Sequence, residues 1–358
     1  MKKIGLKLLL LCLVLPQLIL AADKEGKYKK TKIVRQSYEV GSTGTVHISN
    51  EYGDINVVTW NENKVDIAVR ITVDGNDMEK VINRMDHIEV DLRREGDDII
   101  AKTTVQSIRS SWNFFSWRSS NNVNFKIRYE VKMPANFDLN INNDYGNIYI
   151  DRLEGSLTLN ADYGQFVIGE LLNEKNKIVT DYFKNSSISF IKNGRIIADY
   201  SRIKIDYAYN LNLSCDYTKI QIGTLRKLKY NNDYGSISVD NGKEIIGGGD
   251  YQNRVFGGVS YMKFSGDYGS IKISSLMPGF DQVNIHGDYT SISIYNPKKA
   301  PYQLDIQQEY GSIHYDDVNV YKDISDSGDR HIEGYYLDRN AASKIKITHD
   351  YGSIKIHN

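Results

Sequence analysis

Cys215-Asp216-Tyr217-Thr218-Lys219-Ile220-Gln221-Ile222 is matched 17 residues later by Asn232-Asp233-Tyr234-Gly235-Ser236-Ile237-Ser238-Val239. Tyr200, Tyr217, Tyr234, Tyr251 and Tyr268 each follow an Asp and stand 17 residues apart. The same Asp/Glu-Tyr pair recurs at Tyr52, Tyr145, Tyr163, Tyr182, Tyr289, Tyr310 and Tyr351, mostly at intervals of 17 to 21. Such a period marks short units that cannot bury an apolar face alone and so stack on one another. The predicted fold class is all-β: a parallel β-solenoid, or β-helix, of about 17–21 residues per turn.

The offsets around each tyrosine carry the detail. Six and four residues before it stand apolar pairs such as Val46 and Ile48, Leu157 and Leu159, Leu211 and Leu213, Val283 and Ile285, and Ile345 and Ile347. Three and five residues after it stand Ile55 and Val57, Ile203 and Ile205, Ile220 and Ile222, Ile292 and Ile294, and Ile354 and Ile356. Each pair is the period-2 alternation of a half-buried strand. Even offsets face inward before the tyrosine and odd offsets after it, so the chain must turn a corner there. By the even rule the tyrosine is expected to be the last inward-pointing residue of its strand, building an aromatic ladder along the core edge. The preceding Asp is expected to cap the backbone N–H groups of its own turn. This structural row includes Asp144-Tyr145, Asp162-Tyr163, Asp199-Tyr200, Asp216-Tyr217, Asp233-Tyr234, Asp267-Tyr268 and Asp288-Tyr289. Two units break the pattern. After Tyr182 the apolar pair slips to Ile188 and Phe190, and after Tyr251 the third residue is Arg254, so a loop or bulge is expected at both.

Four segments follow. Residues 1–22 read as an export signal: Lys2, Lys3 and Lys7 precede an apolar run from Leu8 to Leu20, with Ala21-Ala22 offering small residues for cleavage. Cys12 sits inside that run after Leu11, which argues against a lipoprotein. Residues 23–135 form a strand-rich capping region, with strands at Lys64–Val73, Asp98–Val105 and Asn122–Met133 and a short helix at Met78–Met85. Residues 136–315 hold the main repeats. Residues 316–358 hold a hairpin or long loop and a last repeat unit. The apolar run is too short to span a bilayer, and no transmembrane segment is expected after cleavage.

Lys plus Arg and Asp plus Glu both number 45, and the charges are scattered. That excludes the basic face nucleic acid requires. Cys215 is the only cysteine outside the signal, so no internal disulfide is expected. Its counterparts are Ala161, Ala198, Gly249, Gly266 and Gly287, which marks a slot for a small buried residue rather than a nucleophile.

The residues then resemble a known family. Asn50–Val57, the Val131–Pro134 strand end and the serial Asn-Asp-Tyr-Gly-x-Ile units are similar to the bacterial putative-adhesin family of exported β-helical envelope proteins found in Bacteroidetes-like bacteria. The resemblance covers nearly all of the chain beyond the signal. It implies an exported right-handed β-helix and supplies no catalytic residues.

No catalytic, metal or cofactor motif occurs. The seven histidines are dispersed, and neither His-Glu-x-x-His nor Gly-x-Ser-x-Gly is present. Stacked carboxylates about 5 Å apart match a retaining glycosidase, but an active site needs one special pair rather than a row. One other segment stands out: Trp112, Phe114, Phe115 and Trp117 crowd the stretch from Ser110 to Ser120. It reads either as a lid on the first turn or as a binding surface. The expected function is a non-enzymatic, adhesin-like surface or periplasmic module. Its expected partner is a cell-envelope glycan or protein, and its location is periplasmic, outer-membrane-associated or extracellular. The alternative is a lyase- or glycosidase-like enzyme acting on polysaccharide.

Overall fold

A computed structural model describes residues 26–106 and 123–358. The expected export signal (1–22) and the aromatic segment with Trp112, Phe114, Phe115 and Trp117 lie outside the described residues. The fold is all-β: 26 strands share one hydrogen-bonded sheet, which does not close into a barrel. The single helix among the described residues, Met78–Asp86, starts where the Asp77 carboxylate accepts from the Glu79 and Lys80 N–H groups.

Each unit is a strand, a corner at its tyrosine, and a second strand. Both strands pair in parallel with their counterparts in the neighbouring unit. Ile203 lies beside Ile220 and Ile220 beside Ile237, while Leu211 lies beside Leu228 and Leu228 beside Ile245. The apolar columns named by the offsets are buried throughout, forming one continuous core.

The tyrosine itself makes the corner. All twelve have positive φ, from 45° at Tyr310 to 63° at Tyr52. One left-handed residue between two extended strands resets which face the chain presents, and this produces the switch from even to odd offsets. The same geometry overturns the expectation of inward tyrosines. They project outward, 40–57% exposed, and where the following residue is not glycine (Phe183, Ser201, Thr218, Gln252 and Thr290) it takes the buried place. A left-handed L-residue costs about 1–2 kcal/mol. Here the cost is offset by bonds between units: Tyr145 N–H donates to the Asp162 carbonyl at 2.9 Å and Tyr217 N–H to that of Asp233 at 2.9 Å.

Except at Gly269, whose φ is 129°, glycine after the tyrosine is therefore not there for its φ. A Cβ on Gly146 would lie 1.9 Å from the Gly53 carbonyl oxygen, so the close approach of neighbouring corners demands it. Larger residues at this place are matched by small ones two residues before the tyrosine: Ser201 faces Ala198, Thr218 faces Cys215, and Thr290 faces Gly287. Conversely, Gly53, Gly146, Gly235, Gly311 and Gly352 go with Asn50, Asn143, Asn232, Gln308 and His349. The slot holding Cys215 is thus not small in every unit. In most units its size goes with the residue across the corner, while Ala161 with Gly164 and Gly266 with Gly269 are small on both sides.

Aspartate also differs from expectation. At Asp199, Asp233, Asp250, Asp267 and Asp288 the side chain bonds the next unit rather than its own turn. The Asp216 N–H donates to Asp199 Oδ1 at 2.9 Å, Asp250 to Asp233 at 2.8 Å, Asp267 to Asp250 at 2.8 Å and Asp288 to Asp267 at 2.9 Å.

Of the two irregular units, one carries a bulge. Asn185, with φ 58°, is an extra residue, so Ser186 rather than Asn185 pairs with Ile203. The other does not: Arg254 pairs in register with Ile237 and is wholly buried. Its guanidinium lies 4.5 Å from the centre of the Phe264 ring and donates to the carbonyls of Gln252 (3.2 Å) and Gly249. Hydrogen bonds and an aromatic face replace the aliphatic packing the pattern requires, without a loop.

The ends depart from sequence order. Lys344–Asp350 pairs on one side with Gln282–Asp288 and on the other with Tyr302–Glu309. Ser353–His357 likewise lies between Thr290–Tyr295 and Ser312–Tyr315. The last unit in sequence is thus interposed between two earlier ones. The hairpin Asn319–Asp326/Asp329–Tyr336 then covers Tyr302–Glu309 in antiparallel fashion. At the other end, Asp98–Val105 and Val123–Pro134 extend the two ladders beyond the Tyr52 unit. Antiparallel strands Ile88–Glu95, Lys64–Gly75 and Tyr28–Glu39 complete that edge.

Candidate interaction ridge

Because every corner places its tyrosine outward at the same register, the rings form one stack. Its order is Tyr52, Tyr145, Tyr163, Tyr182, Tyr200, Tyr217, Tyr234, Tyr251, Tyr268, Tyr289, Tyr351 and Tyr310. Neighbouring centroids are 4.6–5.3 Å apart and ring planes are within 14° of parallel. At the spacing of paired strands, about 4.8 Å, the row runs on the order of 50 Å. The faces are occupied by neighbouring rings, so solvent meets ring edges and hydroxyls.

The ends of the stack are covered. The Phe125 ring meets Tyr52 edge-on at 5.3 Å and 69°, and Arg84 lies over Phe125. At the far end Gly328 of the hairpin tip lies against the Tyr310 ring, where a Cβ on it would be 2.7 Å from Cε1, and the Tyr310 N–H donates to the Gly328 carbonyl at 3.0 Å.

A carboxylate row flanks the rings: Glu51, Asp144, Asp162, Asp181, Asp199, Asp216, Asp233, Asp250, Asp267, Asp288, Asp350 and Glu309. The phenols of Tyr163, Tyr200, Tyr234, Tyr268 and Tyr351 are pushed above their ordinary pKa, first by loss of water around the packed rings, then by neighbouring phenols and carboxylates. In every unit the ridge therefore sets a phenol hydroxyl next in sequence to a carboxylate.

All seven Asp-Tyr pairs singled out in the sequence fall on this ridge. What sequence reasoning missed is that the tyrosines are on its outside. Asp199, Asp233, Asp250, Asp267 and Asp288 share one structural role, each accepting the next unit's N–H. Cys215 is buried, and burial pushes its thiol up to about 12, holding it protonated. Two dispersed histidines do converge: Asp316 accepts from His314 Nε2 at 3.1 Å and His357 Nδ1 at 3.0 Å. Among the described residues no group of three or more His, Cys, Asp or Glu is arranged to hold a metal. No described helix is long and apolar enough to cross a membrane.

No family model and no curated protein matches the chain. Solved structures similar to it include a putative adhesin from Parabacteroides merdae, 9% identical, covering 93% of this chain and 98% of that one at a TM-score of 0.35. A putative adhesin from Parabacteroides distasonis is 8% identical over 91% and 97%, with a TM-score of 0.33. A putative lipid binding protein from the same species is 14% identical over 93% and 98%, with a TM-score of 0.31. At these identities and TM-scores the likeness assigns no activity.

Proposed function

We propose that this chain is an exported, adhesin-like β-solenoid whose tyrosine–carboxylate ridge is its contact surface for a repetitive cell-envelope glycan. Parallel, in-register pairing of both strands in each unit supports the solenoid, and the basic-then-apolar run of residues 1–20 supports export. The observation that carries the reading is the uninterrupted row of twelve half-exposed tyrosines beside twelve carboxylates. Donors and acceptors repeating about every 4.8 Å suit a polyhydroxylated chain lying along the axis. The test is a glycan array combined with pull-down from an envelope fraction, comparing the native chain with Tyr200→Ser/Tyr217→Ser/Tyr234→Ser. Loss of glycan retention with an unchanged melt supports the reading. Retention by the triple variant, or capture of protein alone, overturns it.

One observation favours the enzyme alternative. A groove on the flank is lined by Asp206 and Asp240 with Gly223 between them, and Lys204 Nζ lies 2.7 Å from Asp206. The carboxylates are two units apart, roughly 9.6 Å by strand spacing, at the upper edge of what an inverting glycosidase uses. Release of reducing ends from envelope polysaccharide, abolished by Asp206→Asn or Asp240→Asn, would favour this reading over the adhesin.

A further inference from the structure

The interposed C-terminal unit makes all of its ladder bonds across a slot in which it is not a sequence neighbour. Ile345 lies beside Val283 on one side and Leu304 on the other, and Ile347 beside Ile285 and Ile306. Tyr351 stacks at 4.9 Å on Tyr289 and 5.3 Å on Tyr310. His349, buried, has Nε2 2.7 Å from the Thr290 carbonyl and Nδ1 3.0 Å from Gln308 Nε2. These bonds are parallel and follow the register used elsewhere in the sheet, so an identical segment from another copy would make every one of them.

The segment is tethered only through residues 337–343, where Leu337 is exposed and has φ 62°. Seven residues reach about 24 Å when extended. If the unit withdraws, four strands lose their partners on one side: Gln282–Asp288, Thr290–Tyr295, Tyr302–Glu309 and Ser312–Tyr315. Ile345, Ile347, Ile354 and Ile356 lose their cover as well. Unpaired parallel edges of this kind recruit another strand, and exchange of identical elements is a low-cost route to dimers. We propose that the slot is an interaction surface for a second copy of this chain: two copies exchange residues 344–358, each filling the other's slot.

The Ser291 and Ser353 hydroxyls, 3.4 Å apart across this interface, allow a direct test. In a Cys12→Ala/Cys215→Ala background, one full chain carries Ser291→Cys and another Ser353→Cys. Cys215→Ala is conservative because Ala161 and Ala198 hold the same place in other units. The two chains are unfolded, mixed and refolded together, and melts matching the native chain establish that each folds. Exchange predicts a disulfide-linked heterodimer that grows with protein concentration during refolding. Each chain refolded alone should give no cross-link. Absence of the cross-linked heterodimer at every concentration overturns the proposal. So does a cross-link that forms equally well when the separately folded chains are merely mixed, since that reports surface collision rather than exchange.

Discussion

Tyr289 stacks on Tyr351 at 4.9 Å and 4°, although Tyr310 is the next corner in the chain. The sheet is therefore not laid down in sequence order at its C-terminal end. The Tyr310 unit stands two strand spacings from the Tyr289 unit, and the last unit of the chain fills the place between them.

A substitution pair tests the assignment of faces. Ile237 is buried and Ser236 half-buried. Ile237→Asp is expected to lose about 3–5 kcal/mol or to prevent folding, because it places an unpaired charge in the core. Ser236→Asp is expected to change stability by roughly 0.5 kcal/mol or less. Urea denaturation of the two variants checks this, and similar midpoints would refute the parity.

The left-handed corner gives a second test. At Tyr217, φ 50°, a β-branched residue is the worst replacement. Tyr217→Val is expected to be less stable than Tyr217→Gly by about 1–2 kcal/mol, despite its greater apolar surface. If valine proves the more stable in thermal melts, the strain argument fails.

Glycine positions should separate by approach rather than by φ. Gly146→Ala sets a Cβ 1.9 Å from the Gly53 carbonyl, whereas a Cβ on Gly41 meets nothing within 4 Å. The first variant is expected to lose at least about 1–3 kcal/mol through forced backbone movement, and the second to melt as the native chain does.

His349 makes the interposed unit sensitive to acid. Burial lowers its pKa below the ordinary 6.5, against the opposing pull of the Thr290 carbonyl, Asp288 and Asp350. The unfolded chain therefore takes up the proton first. Stability is full above about pH 6.5 and declines as pH falls from there toward the lower folded value, by at most about 1.4 kcal/mol per pH unit. Denaturation midpoints at pH 7.5 and 5.0 should differ less in His349→Gln than in the native chain. An unaltered difference would remove His349 as the cause.

Much of the architecture was legible because hydrophobic spacing reports directly which residues share a face. The apolar pairs around Tyr217 and Tyr234 and the irregularity after Tyr182 follow from it, and the hairpin after Tyr315 from the absence of the repeat. The outward tyrosines were not legible, because parity counting assumes extended backbone and a left-handed residue leaves no mark in hydrophobicity. A usable signal was present in the exchange of size across the corner, as in Asn232 with Gly235 against Cys215 with Thr218. Spatial order was hidden for the opposite reason. Every unit carries the same pattern, so Ile345 fits beside Val283 as well as Leu304 does, and nothing local distinguishes neighbours. Arg254 looked like an interruption because its compensation, Phe264 and the carbonyls of Gln252 and Gly249, comes partly from the following unit.

On the proposed reading of the ridge as a glycan-contact surface, the Phe125 ring at one end and Gly328 at the other make the tyrosine row a ruler. A stack open at its ends could grow by docking copy on copy, and its span would then depend on concentration. Closed at both ends, it has a fixed count of contact points written into the chain. A polymer laid along it should gain affinity with each added residue only until the row is filled, and then gain no more. Oligomers graded by length would reveal that plateau, and deleting one complete unit should move it by one step.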